Sequence, residues 1–528
     1  MKMKKVIITD KINEQVVELF KKNSIEVDYK PGISSSELKE IIKNYNGLIV
    51  RSQTKVTEEI ISNGKNLEII GRAGTGVDNI DLQAATRKGV VVMNTPGGNT
   101  ISAAEHTIAM LLALCRSIPQ ADATMREGKW DRKSFYGAEL FGKTLGVLGL
   151  GKIGREVAKR LKAFEMTILG FDPVLSENSA DELGIKLVSV EQILKESDFI
   201  TVHVPLNEDT KDLISSAQLS KLKLGVRIVN CARGGIINED AVVEGIEKGI
   251  IAGAAFDVFE TEPPQNKKLI NNPKVITTPH LGASTEEAQE KVSFQICNQI
   301  IDYFNNNGVV GTVNALSIQY LNDNLVKPYI NLMEKIGLFV SQSFDSSVSE
   351  FQIKYNGVNL DNYSDLLTSA LLKGYLENRI DEPINYINAK ITADEIGLHV
   401  TESVSSKDKI YQTLIEVKAS NKSNQVSVSG TIGLNGEIRI VSLDNYNIDL
   451  VPEGKMIIYY NIDKPGVLAK VSQFLAAENI NIAGVFLGRK DKGSQALTVM
   501  KVDDVITEKS LLNIKKIEEI DRVICVNI

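Results

Sequence analysis

Six residues between two apolar runs constrain this chain more than any other feature. Gly149-Leu150-Gly151-Lys152-Ile153-Gly154 is a GxGxxG element that follows the run LGVLG, which begins at Leu145. After it, Ile153, Val157, Leu161 and Phe164 fall on one helical stripe. Glycine triplets recur by chance, but a buried-strand run before and an amphipathic helix after make this one a strand-turn-helix that binds a dinucleotide. Its glycines form a tight turn, let the backbone approach a pyrophosphate and bring helix against strand, with the helix N-terminus facing the negative charge. The next run, TILGFD, ends in Asp172, whose carboxylate can accept both ribose hydroxyls of an adenosine and would repel a 2′-phosphate. NAD is therefore expected over NADP.

The strand-helix alternation around this element sets the fold class. Ahead of it, VIIT, IEVDY, GLIV, LEII and GVVVM alternate with helical patterns, and Ser34 and Glu37 have capping-box spacing before LKEII. A long helical pattern then runs from about Thr100 to Arg126, followed by a polar stretch with Trp130 and Arg132. From Thr144, six strand-like runs separated by helices predict a complete dinucleotide-binding sheet. The helical pattern from Ala288 to Asn305 is expected to cross back to the first unit. Beyond about Leu316, loops such as SSKDK and SNKSNQ replace the glycine-rich turns and suggest an α+β accessory region, and a last unit starts near Lys455. The expected division is 1–97 with 287–315 as a substrate domain, 98–286 as the NAD domain, 316–452 as an intervening domain and 453–528 as a small regulatory domain.

Length and composition bound the rest. A chain of 528 residues exceeds one hydrophobic core, so roughly three or four domains are expected. A net charge of -7 gives no reason to expect a nucleic-acid or anionic-membrane surface, and any anionic ligand must be held by a local cluster. Cys115, Cys231, Cys297 and Cys525 form no CxxC pair, which argues against a disulfide framework or a zinc site and for a reducing cytoplasm. The apolar run IAMLLALC is too short for a membrane span and reads as a buried helix. No metal, membrane or nucleic-acid partner is expected.

Three residues carry the expected chemistry. Arg233 in NCARGGIIN, Glu262 in FETEPP and His280 in TTPHLGAST each follow a strand run, where open α/β sheets place ligands. Oxidising a 2-hydroxy acid removes the hydroxyl proton while hydride leaves the carbon. A neutral imidazole suits the first task, a neighbouring carboxylate can stabilise the imidazolium formed, and a guanidinium fork can clamp a carboxylate. Taken singly, such residues are ordinarily surface or packing groups; together with a dinucleotide site they form a constellation. Of the other histidines, His106 reads as structural, His203 as lying near the adenine side, and His399 as remote from catalysis.

GLGKIG with Asp172, then NCARGG, DVFETEPP and PHLGAST, resembles the D-isomer-specific 2-hydroxyacid dehydrogenase family over about residues 1 to 315. The resemblance implies a flavodoxin-like substrate domain and a Rossmann NAD domain, both doubly wound α/β units with parallel sheets. It matches the family's catalytic set to Arg233, Glu262 and His280, and carries cofactor contact onto Thr75, Lys152, Ile153, Val204, Cys231, Asp257 and Gly282, with Asp257 at the nicotinamide carboxamide. RSQTKV, GRAGTGVDNID and NTPGGNTISAAEH resemble the long-form branch that oxidises 3-phosphoglycerate to 3-phosphohydroxypyruvate, the entry step of phosphorylated serine biosynthesis. That branch places Arg51, Ser52, Arg72 and Gly74 at the substrate, with Arg132 reaching a phosphate across a dimer contact.

NIDKPGVL and NINIAG resemble ACT domains, ferredoxin-like modules that pair side by side and bind amino acids at the seam. The resemblance puts Asn461, Asp463 and Asn481 at an L-serine effector, with Gly466 allowing close approach. Relatives with histidine or tyrosine at the place of Asn461 make this position a departure. A homodimer or homotetramer is implied. Two other readings share the motifs: a glyoxylate or hydroxypyruvate reductase, which gives no reason for the roughly 210 C-terminal residues, and a non-catalytic NAD-sensing binding protein.

Overall fold

The computed structural model describes residues 3–344, 346–357, 360–405 and 411–528. Ser406 to Lys409 of the SSKDK loop lie outside the described residues. The five early runs each supply one strand of a wholly parallel sheet, in the spatial order Glu26–Tyr29, Lys5–Ile8, Gly47–Val50, Ile69–Arg72, Val91–Met93. This is the flavodoxin-like order. Val16 and Phe20 of one helix, with Val292, Ile296 and Ile300 of the helix Glu286–Phe304, cover one face. Leu38, Ile60 and Ala85 from three short helices cover the other. The first of those three starts as its spacing predicts, with Ser34 accepting a hydrogen bond from the Glu37 amide.

The helical pattern from Thr100 to Arg126 is not one helix. It breaks at Ser117, in the left-handed region at φ 48°, into Thr100–Arg116 and Ile118–Arg126, bent by 63°. Pro119 in the first turn of the second helix has no N–H to continue the ladder, so the break costs no donor there. Among the described residues no single helix is long and apolar enough to cross a membrane.

The second sheet has seven parallel strands, one more than expected. Their order is Val275–Thr277, Ile251–Phe256, Val226–Asn230, Phe199–Val202, Thr144–Leu148, Thr167–Phe171, Lys186–Leu187. The extra strand has only two residues, too few to show a period. The strand order reverses between Thr144–Leu148 and Phe199–Val202, and that crevice is where such sheets bind ligands.

The third sheet is mixed: Glu350–Gly357 pairs in parallel with His399–Ser405 and antiparallel with Thr413–Ser420, followed by three more antiparallel strands. The SNKSNQ stretch is the turn of its hairpin Thr413–Ser420 and Gln425–Ile432. The last unit is an antiparallel sheet in the order Ile482–Arg489, Gln495–Val502, Lys455–Ile462, Ile520–Asn527, with helices Val467–Ala477 and Glu508–Lys515. This is the ferredoxin-like arrangement. Strand alternation sends Ile457, Tyr459 and Met500 toward those helices. Met456, Ile458, Leu497, Val499 and Val526 point the other way and share one core with Phe339 and Phe351 of the third region. Gln342 exchanges two hydrogen bonds with Asn527 (2.9 and 2.8 Å), and Arg522 donates to the Ser343 carbonyl at 2.7 Å.

Candidate active site

The dinucleotide turn has the shape its glycines predict. Gly149 sits at φ 95° with its amide on the Phe171 carbonyl, and a Cβ there would lie 2.6 Å from the His203 carbonyl oxygen. A Cβ at Gly154 would lie 2.0 Å from the Gly149 oxygen, so the helix Lys152–Lys162 approaches the strand only with glycine there. A Cβ at Gly151 would meet open space, which is the side a pyrophosphate needs. Asp172 closes the adjoining strand end. Its Oδ2 accepts from the Leu150 amide (2.9 Å), and its Oδ1 accepts from those of Val174 and Leu175 (2.9 and 3.1 Å). Burial opposes its charge, but those amides outweigh it and hold the carboxyl below the usual range. The carboxylate is thus built into the turn, leaving its remaining lone pairs for ribose. These residues fit NAD.

Arg233, Glu262 and His280 follow three neighbouring strands, Val226–Asn230, Ile251–Phe256 and Val275–Thr277. His280 lies at φ 55°, held by its amide on the Asp257 carbonyl at 2.9 Å. Its Nδ1 lies 2.9 and 3.1 Å from the two Glu262 oxygens, and the Phe259 amide donates to Glu262 Oε1 at 3.2 Å. Burial raises the Glu262 carboxyl, but His280 and that amide outweigh it and keep it below the ordinary glutamate value. With Nδ1–H donating to a carboxylate, Nε2 of the neutral ring carries the lone pair.

His280 and Arg233 line one cavity of about 400 Å³ together with Arg72, Thr75, Ile153, Val204, Cys231, Asp257 and Gly282. Arg233 donates from Nε to Asp78 at 3.0 Å and from Nη1 to the Ala232 carbonyl at 2.6 Å. Arg72 Nε is buried without a hydrogen-bond partner. Burial and the nearby Arg233 charge bring its pKa down to about 10. Gly74 makes room for the Arg72 guanidinium: a Cβ there would fall 1.9 Å from Nη1. Burial likewise lowers Arg51, which donates to the Lys11 carbonyl at 3.2 Å. Guanidinium groups gathered in this way suit an anionic ligand.

The remaining positions divide. Thr75 Oγ1 donates to Asn99 at 2.8 Å, and Lys152 Nζ reaches the Pro96 carbonyl at 3.4 Å, so both tie the two halves at the cavity. Desolvation pushes the thiol of the half-buried Cys231 up, so it stays protonated. Ser52 is exposed beside Arg51, and Arg132 is exposed near Trp130 and Tyr136, away from the cavity lining. Asp257 is engaged by the helix Thr100–Arg116 and by the loop after the strand Val275–Thr277. Oδ1 accepts from His106 Nε2 (3.1 Å), Thr278 Oγ1 (2.6 Å) and Leu281 N (2.7 Å), and Oδ2 accepts from Gly282 N (2.8 Å). Its geometry is that of an anchor for the His280 loop.

Sequence reasoning missed Asp78 and Thr278, whose partners lie far along the chain, and saw His106 only as helix packing. His203 lies at the crevice beside Gly149, its Nε2 at 3.0 Å from Thr201 Oγ1, with burial lowering its pKa to about 4. His399 begins an edge strand. Among the described residues no group of three or more His, Cys, Asp or Glu is placed to hold a metal ion.

In the last unit the three effector positions already have partners. Asp463 accepts from the Gly493 amide and from Arg489, each at 3.2 Å, and both hold its carboxyl low. Asn481 donates to Asp503 at 2.6 Å, and Asn461 is buried, donating to the Ile462 carbonyl at 2.9 Å. Gly466, at φ 97°, precedes the helix Val467–Ala477 and leaves open space.

Residues 108–282 match the family model described as D-isomer specific 2-hydroxyacid dehydrogenase, NAD binding domain. That fixes the class. Residues 325–444 match the D-3-phosphoglycerate dehydrogenase intervening domain, and 459–524 an AHAS small subunit-like ACT domain. The D-3-phosphoglycerate dehydrogenase of Archaeoglobus fulgidus is 43% identical over 98% of both chains, and that of Methanocaldococcus jannaschii 40% over 100% of both. A glyoxylate reductase structure from Paecilomyes thermophila is 30% identical with a TM-score of 0.55, covering 59% of this chain and 99% of that one. The chain belongs to the D-3-phosphoglycerate dehydrogenase family.

Proposed function

We propose that the chain oxidises 3-phospho-D-glycerate to 3-phosphohydroxypyruvate with NAD, the first step of phosphorylated serine biosynthesis. The observation that carries this reading is one cavity lined by His280, paired to Glu262 through Nδ1, together with Arg233 and Arg72, whose buried Nε has no hydrogen-bond partner. NAD, when bound, takes up the hydride. His280 Nε2 accepts the proton of the substrate's hydroxyl, and the Glu262 carboxylate stabilises the imidazolium that results. Arg233 clamps the substrate carboxylate, while Arg72 and Arg51 attract the phosphate end, with Ser52 and Gly74 beside them. Gly149, Gly151 and Gly154 cradle the pyrophosphate, Asp172 holds the ribose, and Thr75, Lys152, Ile153, Val204, Cys231 and Gly282 contribute surface around it.

The glyoxylate reductase structure matches the catalytic half only, whereas the D-3-phosphoglycerate dehydrogenase relatives extend over the intervening and ACT regions. This favours the phosphorylated substrate. The four separate sheets support the division 1–97 with 287–315, 98–286, 316–452 and 453–528. Exposed Ile118, Met125, Trp130, Tyr136 and Phe141, near Arg132, support a homodimer or homotetramer. L-serine is the proposed effector of the ACT unit, and free thiols at all four cysteines agree with a cytoplasmic setting. The test is an initial-rate assay with 3-phosphoglycerate and NAD, with and without serine. NADH production with phosphoglycerate well above that with glycerate or glycolate is expected. The reverse preference overturns the substrate assignment.

A further inference from the structure

A hydrogen bond from Arg233 Nε crosses from one half of the catalytic unit to the other. Asp78, in the loop after the first-sheet strand Ile69–Arg72, accepts it at 3.0 Å, while Arg233 rises from the loop after the second-sheet strand Val226–Asn230. The Asp78 side chain is 69% exposed and that of Arg233 31%, so the pair sits at the mouth of the cavity rather than in a core. Gly76 makes the contact possible, since a Cβ there would lie 2.0 Å from Arg233 Nη2 and 2.7 Å from Asp78 Oδ2. A carboxylate lining a cavity that must admit an anion opposes binding by like charge. A surface ion pair of this exposure also adds little to folding. What the contact does supply is direction. With Nε held by Asp78, Nη1 donating to the Ala232 carbonyl and Nη2 lying against Gly76, the guanidinium plane is fixed at the rim of the cavity that Arg72 also lines.

We infer that Asp78 is a positioning residue for the reaction, acting through Arg233 by setting the plane in which the guanidinium meets the substrate carboxylate. This rests on the reading of Arg233 given above. Asp78→Ala lowers kcat/KM for 3-phosphoglycerate about tenfold, and Asp78→Asn, which keeps an acceptor oxygen, restores part of it. The decisive measurement is a double-mutant cycle. In an Arg233→Lys background, which has no fork to orient, adding Asp78→Ala changes kcat/KM less than about twofold. NADH binding, followed by fluorescence, is retained throughout and separates altered turnover from failed folding. If Ala abolishes that binding, Asn carries the same cycle. An equal loss in both backgrounds shows a general structural role and overturns the inference, as does an unchanged or raised kcat/KM for Asp78→Ala. Absence of turnover by the unmodified chain overturns the functional reading, and this inference with it.

Discussion

The catalytic cavity and the C-terminal unit treat their polar groups in opposite ways. In the cavity, carboxylates are spent on holding other groups open. Glu262 occupies His280 Nδ1 and leaves Nε2 free, Asp257 ties the loop beneath it, and Arg72 Nε is left without a partner. In the C-terminal unit the groups expected to meet an effector are closed on each other, Asp463 with Arg489 and Asn481 with Asp503. The first site is preorganised for its ligand, so binding there needs no exchange of partners. In the second, each expected effector group already holds an internal contact that a new partner has to displace or share.

Breaking the cavity should therefore cost far more than breaking the other. His280→Asn removes the proton acceptor, and kcat should fall about a thousandfold while NADH binding stays intact; turnover within tenfold of the unmodified chain would contradict the assignment. Glu262→Gln keeps the shape but loses the charge opposite the imidazolium, with an expected loss in kcat of about a hundredfold at nearly unchanged NADH affinity. A pH series sharpens the contrast through His203, whose pKa is lowered by burial from 6.5 to about 4. Between those values the unfolded chain binds a proton there and the folded chain does not, so stability falls as pH drops through the window and is unaffected above it. Urea unfolding at pH 7.5 and 5 should show His203→Gln losing about 2 kcal/mol of that dependence. The smallest effect is on the other side: Arg489→Ala frees Asp463 for an ammonium group. The serine concentration giving half-inhibition should drop about threefold, and a rise would mean that Arg489 itself contacts the effector.

What the sequence revealed and what it hid follow from range. Local patterns were readable: the strand-turn-helix at Gly149, five alternating runs that became five strands, and the helix start capped by Ser34. Placing Arg233, Glu262 and His280 after strand ends was enough to bring them together, because parallel neighbours expose their C-terminal ends on one side. The turn at Ser117 escaped because helix-forming sequence continues on both sides of it; the one local signal was Pro119, which starts the second helix. Asp78 and His106 escaped for another reason: their partners, Arg233 and Asp257, stand 155 and 151 positions away, and nothing local to a turn aspartate or a helix histidine reports such a contact. The parallel pairing of Glu350–Gly357 with His399–Ser405 likewise depends on a crossover that periodicity does not encode.

The two-sided last sheet has a mechanical consequence. Because Met456, Ile458, Leu497, Val499 and Val526 are packed into the core of the preceding region, the C-terminal unit is no pendant on a slack tether. Any tilt of that sheet must be handed to the helix Lys327–Ser343, whose end is stitched to Asn527 and Arg522. That helix in turn holds Tyr386 through Glu334, next to Asn385, whose side chain grips the Gly89 carbonyl under the first sheet. An unbroken run of contacts thus joins the last sheet to the half of the molecule that carries Arg51 and Arg72.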